Sequence, residues 1–280
     1  GGISGVYRST DGGVFFDGIS LLDMPVNYSI VDLAFDPKGG SQPVLMVINS
    51  GDADYIFYTA DATAESVQWL MKDCMTNIKK GEDSLDAIKL ISWDAAGDVV
   101  MLMGQVGDKT GAQEEENGYF VFRSYDEGNS FAYWRTMPVA TAGVPADWVV
   151  VDNNTISVAG KHGYWGTRAI GTEIKVNLDT AAASIARQGD NIAIGTEVGS
   201  VRYSSDAGKT WDLAVGVGGS SADTFVAFAS DGTVYAAAGG GSVTSIVVGK
   251  AADGVTDALV TTGKSPIAAK NGKLNLSAVR

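Results

Sequence analysis

The chain of 280 residues is sparing with the residue types that carry most enzyme chemistry. Its single cysteine, Cys74, excludes an intramolecular disulfide and leaves the redox compartment unread. Its single histidine, His162, excludes a multi-histidine metal centre and a histidine-rich acid–base network. Charged residues are few, at 19%, and the 33 acidic ones outnumber the 20 basic ones, for a net charge of −13. That balance disfavours nucleic acid and bare anionic membrane, because phosphate contacts need a basic face. There is no run of about 18 apolar residues, so no helical membrane span is expected. The chain starts Gly1-Gly2, as a processed chain or an excised piece of a longer one would.

Glycine, by contrast, is abundant, with 36 copies, and the apolar runs are short and rich in β-formers. Many short strands with glycine-rich turns point to an all-β sandwich, barrel or propeller. One short pattern occurs three times: Ser9-Thr10-Asp11-Gly12-Gly13-Val14-Phe15, Ser124-Tyr125-Asp126-Glu127-Gly128-Asn129-Ser130-Phe131 and Ser204-Ser205-Asp206-Ala207-Gly208-Lys209-Thr210-Trp211. The shared frame is Ser-x-Asp-x-Gly followed by an aromatic. Each copy follows a strand-like stretch holding an arginine and an aromatic: Tyr7-Arg8, Phe122-Arg123 and Arg202-Tyr203.

The frame has a direct physical reading. An aspartate closes a tight turn by accepting hydrogen bonds from nearby backbone N–H groups. A glycine two residues later supplies a positive φ, and the aromatic opens the return strand and packs its ring. The predicted unit is a stapled β-hairpin, repeated along the chain. It resembles the Asp-box, or bacterial neuraminidase repeat, which marks a blade of a β-propeller. That family includes sialidases, glucan-cleaving glycosidases, sortilin-type receptors and photosystem assembly factors. The resemblance implies a structural role for Ser9, Asp11, Gly13 and Phe15, for Ser124, Asp126, Gly128 and Phe131, and for Ser204, Asp206, Gly208 and Trp211.

Strand candidates group in fours: 29–35, 43–48, 54–59 and 67–71; 87–93, 98–105, 118–124 and 131–137; 148–152, 155–159, 164–169 and 173–176; 182–187, 191–195, 200–204 and 210–215; 224–229, 233–238, 242–248 and 256–261. Two further pairs, 3–9 with 14–19 and 266–269 with 273–279, sit at the two ends. Shared between the termini, they make a sixth unit that leaves no free edge. The intervals between the three aspartates, 115, 80 and, around the ring, 85 residues, each fit two blades of about 40–50 residues. The expectation is one all-β domain over 1–280, a six-bladed propeller closed by strands from both termini, with seven blades open if a long loop hides one. Thr59-Ala60-Asp61, with Trp69, reads as a stretched copy of the turn.

In such a blade the stapled turns join the third and fourth strands. Functional groups are then sought at the opposite end, where loops join second to third strands and blade to blade. Those loops hold Asp52 and Asp54, then Asp108 with Glu114-Glu115-Glu116, then Lys161-His162, then Glu197. The insert 72–86 and the segment 140–147 join the same side, giving an uneven acidic rim. A divalent cation such as calcium is an alternative occupant of such a rim, since hard cations take several convergent oxygens.

The catalytic sets of the family are not matched. Sialidases need an arginine triad, but Arg8, Arg123 and Arg202 adjoin the stapled turns, Arg135 and Arg168 fall in outer strand candidates, and Arg187 ends an inner one. A glycosidase needs two carboxyls about 5–10 Å apart, and no pattern singles out a pair among Asp52, Asp54, Asp108 and Glu197. The expected function is therefore non-catalytic: protein or glycan binding, or self-association in a cell-surface lattice, outside the cytoplasm, with any signal or anchor lying beyond this chain. A glycoside hydrolase acting at the acidic rim and an assembly factor for a larger complex are the alternatives. Three glycosylation frames, at Asn27, Asn153 and Asn275, add little to this, since chance alone yields about one or two in a chain of this length.

Overall fold

The structure is a computed structural model that describes residues 6–11, 14–19, 29–50, 53–74, 77–106, 118–168, 172–212, 215–216, 223–240, 243–250 and 260–264. A short ribbon comes first, β1 (Tyr7–Arg8) and β2 (Asp17–Gly18). A four-stranded sheet follows: β3 (Ser29–Phe35), β4 (Val44–Asn49), β5 (Asp54–Thr59) and β6 (Leu70–Cys74). The next sheet has five strands, β7 (Lys79–Lys80), β8 (Asp83–Trp93), β9 (Val100–Val106), β10 (Tyr119–Ser124) and β11 (Ala132–Met137), and its edge strands β7 and β11 approach each other. A helical turn, α1 (Val139–Ala142), leads to β12 (Pro145–Asp152), β13 (Thr155–Gly160), β14 (Gly163–Arg168) and β15 (Thr172–Asn177). Two more four-stranded sheets are β16 (Ala182–Gln188), β17 (Asn191–Thr196), β18 (Ser200–Ser204) and β19 (Val215–Gly216), then β20 (Asp223–Phe228), β21 (Thr233–Gly240), β22 (Val243–Lys250) and β23 (Val260–Lys264). In all of these sheets the strand order follows the chain, and neighbouring strands such as β4 and β5, β9 and β10, β14 and β15, β17 and β18, and β21 and β22 pair antiparallel.

The chain forms two compact units, Gly1–Met137 with Val150–Asn153, and Pro138–Val149 with Asn154–Arg280. In both, an inner strand of a sheet is the most apolar and is covered on both faces. Val44–Ile48, Val100–Val106, Ile156–Gly160 and Ile192–Thr196 are buried without a break. Such continuous runs mark strands packed between neighbours on each side. The outer β15, Thr-Glu-Ile-Lys-Val-Asn, alternates instead and meets water on one face. In the first unit Leu45, Val47, Ile56, Ile91, Leu102 and Phe122 form one core. In the second, Tyr164, Leu178, Ile185, Ile192 and Ile194 form another.

Polar side chains on the first strands latch neighbouring sheets together. Asp32 accepts the Ile91 N–H at 2.8 Å with one oxygen and the Leu33 N–H at 2.9 Å with the other. Asp147 repeats this with Ile185 (3.0 Å) and Trp148 (2.8 Å). Ser184 donates to the Thr224 carbonyl (2.9 Å) and accepts the Val226 N–H (3.0 Å). Strand register slips beside Asp32 and Ser184, and such a bulge re-aims a side chain. The sheets approach closely there: a Cβ on Gly195 would lie 2.0 Å from the Thr224 carbonyl oxygen.

The six-bladed ring closed by both termini is corrected by this topology. The described residues form four four-stranded sheets, a separate five-stranded sheet and the ribbon, and Tyr7–Arg8 pairs only with Asp17–Gly18. The ribbon seats Val6 and Ile19 against Met46, Ile48 and Trp69 of the first four-stranded sheet, and Arg8 donates to the carbonyls of Ala62 (2.6 Å) and Ala64 (3.2 Å). The grouping by fours failed in one sheet, for a physical reason: the described residues of the insert 72–86 end β6, form β7 and start an eleven-residue β8, so that sheet gains a strand. The strand expected at 210–215 shrinks to Val215–Gly216. The candidates at 266–269 and 273–279 lie outside the described residues.

Candidate functional site

The three aspartate turns behave as staples. Asp206 accepts hydrogen bonds from the Ser204 hydroxyl (2.9 Å), the Lys209 and Thr210 N–H groups (3.0 and 2.9 Å) and the Thr210 hydroxyl (2.7 Å). Asp126 does the same with the Ser124 hydroxyl (2.7 Å), the Ser130 N–H (2.9 Å) and the Ser130 hydroxyl (2.6 Å). Asp11 takes the Ser9 hydroxyl (2.8 Å) and the Val14 and Phe15 N–H groups (3.0 Å each). Ser124 and Ser204 each accept a glycine N–H at 2.8 Å, from Gly128 and Gly208. Gly208 has φ +87°, and a Cβ there would meet the Tyr164 ring at 2.3 Å. Trp211 donates to the Gly208 carbonyl (3.0 Å) and packs 5.1 Å from Tyr164; Phe131 packs on the first unit's core. Gly13 lies outside the described residues.

The electrostatics follow from these bonds. Partial desolvation works against ionisation of Asp206, but the Thr210, Ser204 and Lys209 donors outweigh it and hold its pKa down at about 2. Asp126 is lowered in the same way, by Ser130 and Ser124 against desolvation. Asp11 is lowered mainly by the Phe15 N–H and the Ser9 hydroxyl. These carboxylates are held ionised and fully engaged in their own turns. The Thr59-Ala60-Asp61 turn is a reduced form, in which Asp61 accepts from the Thr63 N–H (2.8 Å) and hydroxyl (2.5 Å).

The opposite end of the second unit carries a different surface. In the β16–β19 sheet the Glu197 turn and the Asp206 turn flank the two ends of β18. Beside the Glu197 turn, the Lys161-His162 turn between β13 and β14 meets the connection from β15 to β16. The Leu178 N–H reaches the His162 carbonyl (3.3 Å), and the Glu197 N–H reaches that of Ala181 (3.0 Å). The His162 and Lys161 N–H groups tie back to the carbonyls of Ala142 (2.9 Å) and Val144 (3.0 Å). Between these turns lies an open cleft of about 310 Å³, lined by Lys161, His162, Asn177, Asp179, Thr180 and Ala181. Asp179 has φ +52°, and its N–H is held by the Asn177 side chain at 2.8 Å. Backbone hydrogen bonds therefore pre-shape the rim, and ammonium, imidazole, amide, carboxylate and hydroxyl groups line it.

Sequence reasoning reached part of this. His162 lines the cleft, and Glu197 borders it through Ala181. Asn177, Asp179 and Thr180 were missed, although an Asn-x-Asp-Thr run between two strands is a turn signal. Asp54 is not on a rim. It is 1% exposed, accepts from the Asn49 amide and the Ile88 N–H (2.6 Å each), and latches sheet to sheet. Burial pushes its pKa up, with the Ile88 and Asn49 hydrogen bonds opposing. Asp52, Asp108, Glu114, Glu115 and Glu116 lie outside the described residues. Among the described residues no three His, Cys, Asp or Glu side chains stand together as a metal site. The arginines serve local structure: Arg202 donates to the Leu178 and Asp212 carbonyls, Arg187 to Ser157 and Gly189, and Arg168 pairs with Asp190.

No family model matches the chain, and no curated protein matches it. Solved structures do. YCF48 from Cyanidioschyzon merolae is 12% identical, with 96% of this chain and 80% of that chain covered and a TM-score of 0.61. A structure of YCF48 bound to D1 peptide is 12% identical, covering 87% and 70%, with a TM-score of 0.59. A structure of the nidogen/laminin complex is 10% identical, covering 80% and 76%, with a TM-score of 0.54. At such identities the likeness is one of architecture: the chain has a β-propeller-like all-β fold.

Proposed function

We propose that this chain is a non-catalytic, propeller-like binding domain whose partner is a protein segment docking on the Lys161–Asp179 face. One observation carries the reading: the cleft of about 310 Å³ is open, of mixed polar and apolar surface, bordered by the polar side chains of Lys161, His162, Asn177, Asp179 and Thr180, and pre-shaped by backbone hydrogen bonds. That size lies at the lower limit for a small-molecule site, which is normally concave and mostly apolar. It suits a few side chains of a larger partner. The similarity to a YCF48 structure with a bound peptide and to a nidogen/laminin complex adds support by analogy of fold alone. The three stapled turns are read as Asp-boxes, scaffold rather than site, and the domain as working outside the cytoplasm.

The test is affinity capture from the source organism with the native chain and with a Lys161→Glu/His162→Ala variant, followed by direct binding of the captured polypeptide in purified form. A defined polypeptide that binds the native chain and is lost by the variant is the expected result. Equal binding by both chains, or no polypeptide bound by either, rejects the reading. The glycosidase alternative loses one of its four candidate carboxyls in Asp54, whose carboxylate is taken up by Ile88 and Asn49.

A further inference from the structure

Strands β10 and β11 of the five-stranded sheet, with Lys80 of β7, carry a cluster of cations set against aromatic rings. The Arg123 guanidinium lies 4.0 Å from the centre of the Trp134 ring, and the Arg135 guanidinium lies 5.0 Å from the same centre. The register explains the cluster. Val121 faces Arg135 while Phe122 faces Tyr133, so Trp134 is the extra residue of a bulge. Arg123 donates to the Tyr125 hydroxyl (3.1 Å) and, among the described residues, makes no other hydrogen bond or ion pair. Lys80 of β7 adds an ammonium 4.1 Å from the Phe120 ring and 5.7 Å from that of Tyr133. Tyr125 and Tyr133 are 64% and 42% exposed. Strands β10 and β11, Tyr-Phe-Val-Phe-Arg-Ser and Ala-Tyr-Trp-Arg-Thr-Met, contain no carboxylate.

We infer that this strip docks a short acidic polypeptide segment of a partner, its carboxylates seated on the outward N–H edge of Arg123, with Arg135 beside it. Arg123 spends one donor on Tyr125, and a guanidinium held over an indole face is already oriented. It therefore takes a carboxylate in bidentate fashion with little further ordering. Charge selects the partner class. The whole chain carries −13, so a long polyanion such as duplex DNA or a polyuronate meets repulsion beyond the strip. A short segment feels mainly the local cations, since exposed charges farther than about 8 Å are screened at physiological salt. This site lies in the first unit and does not depend on the cleft.

The probe is a fluorescein-labelled peptide in which Glu alternates with Gly and Ser, compared with its Gln counterpart by fluorescence anisotropy in low and high salt. The native chain is expected to bind the Glu peptide about tenfold more tightly than the Gln peptide, the value of one charge-assisted bidentate contact, with the margin collapsing in high salt. Arg123→Gln removes the margin, and Arg123→Lys restores only part of it because a point charge lacks the fork. Lys161→Glu/His162→Ala leaves it intact. Equal binding of the two peptides, a margin that survives Arg123→Gln, or tighter binding of heparin or duplex DNA than of the Glu peptide overturns the proposal. Both Arg123 variants are checked for an unchanged unfolding midpoint.

Discussion

Removing the Asp206 carboxylate, by Asp206→Ala, tests the scaffold reading most directly. The side chain satisfies two backbone N–H groups and two hydroxyls in one turn. Its pKa falls from 3.8 to about 2, which sets a ceiling of roughly 2 kcal/mol on the charge-dependent part of its contribution. The carboxylate is largely open to water, so screening brings the expected loss nearer to about 1 kcal/mol, the same size as losing an aspartate cap from a helix. For a chain of this length that is a drop of about 2 °C in Tm. Because the folded-state value lies below the unfolded one, the contribution is complete above pH 3.8 and fades as pH falls toward about 2. Urea unfolding of the native chain and the variant, followed by tryptophan fluorescence at neutral pH and near pH 3, reads both quantities. Trp211, held on the Gly208 carbonyl at 3.0 Å, reports on the turn itself. A gap that is absent at neutral pH, or equally wide at both pH values, refutes the reasoning.

Asp54→Ala should show the opposite pH trend. It leaves the Ile88 N–H unpaired, at a cost of about 1–3 kcal/mol, and because burial raises the Asp54 pKa the native chain's advantage is greatest in acid and shrinks as pH rises through that raised value, as paired urea titrations would reveal. Gly208→Ala should destabilise by more than about 2 kcal/mol, from a left-handed φ and contact with the Tyr164 ring. Gly128→Ala should cost less, since its nearest neighbour is the Leu45 methyl at 3.3 Å; a reversed order in denaturant midpoints would contradict the packing described. Asp147→Ala should cost about 1–3 kcal/mol by orphaning the Ile185 N–H and should raise amide exchange at Ile185 more than at Ile192.

The turns were legible because their chemistry is local. Every partner of Asp126 and Asp206 lies within four residues in sequence. The latches were not. Asp32 reaches 59 residues away, Asp147 reaches 38 and Ser184 reaches 42, and nothing in a linear reading of Ser50-Gly51-Asp52-Ala53-Asp54 separates Asp54, a buried latch, from a rim carboxylate. The cleft was half legible. Lys161-His162 was a visible turn, but its neighbour across the gap, Asn177–Thr180, becomes relevant only when β15 and β16 bring it alongside.

By itself the sequence determined the all-β class, the stapled hairpins and the exclusion of disulfide and multi-histidine chemistry, since these depend on composition and on contacts a few residues apart. Tertiary structure alone decided how many strands each sheet holds, that the Tyr7–Arg8 hairpin seats its flanking Val6 and Ile19 against Met46 and Ile48, and which polar groups share a face. Those outcomes rest on edge pairing and on side chains bridging neighbouring sheets, and such contacts join residues whose separation along the chain carries no periodic signal.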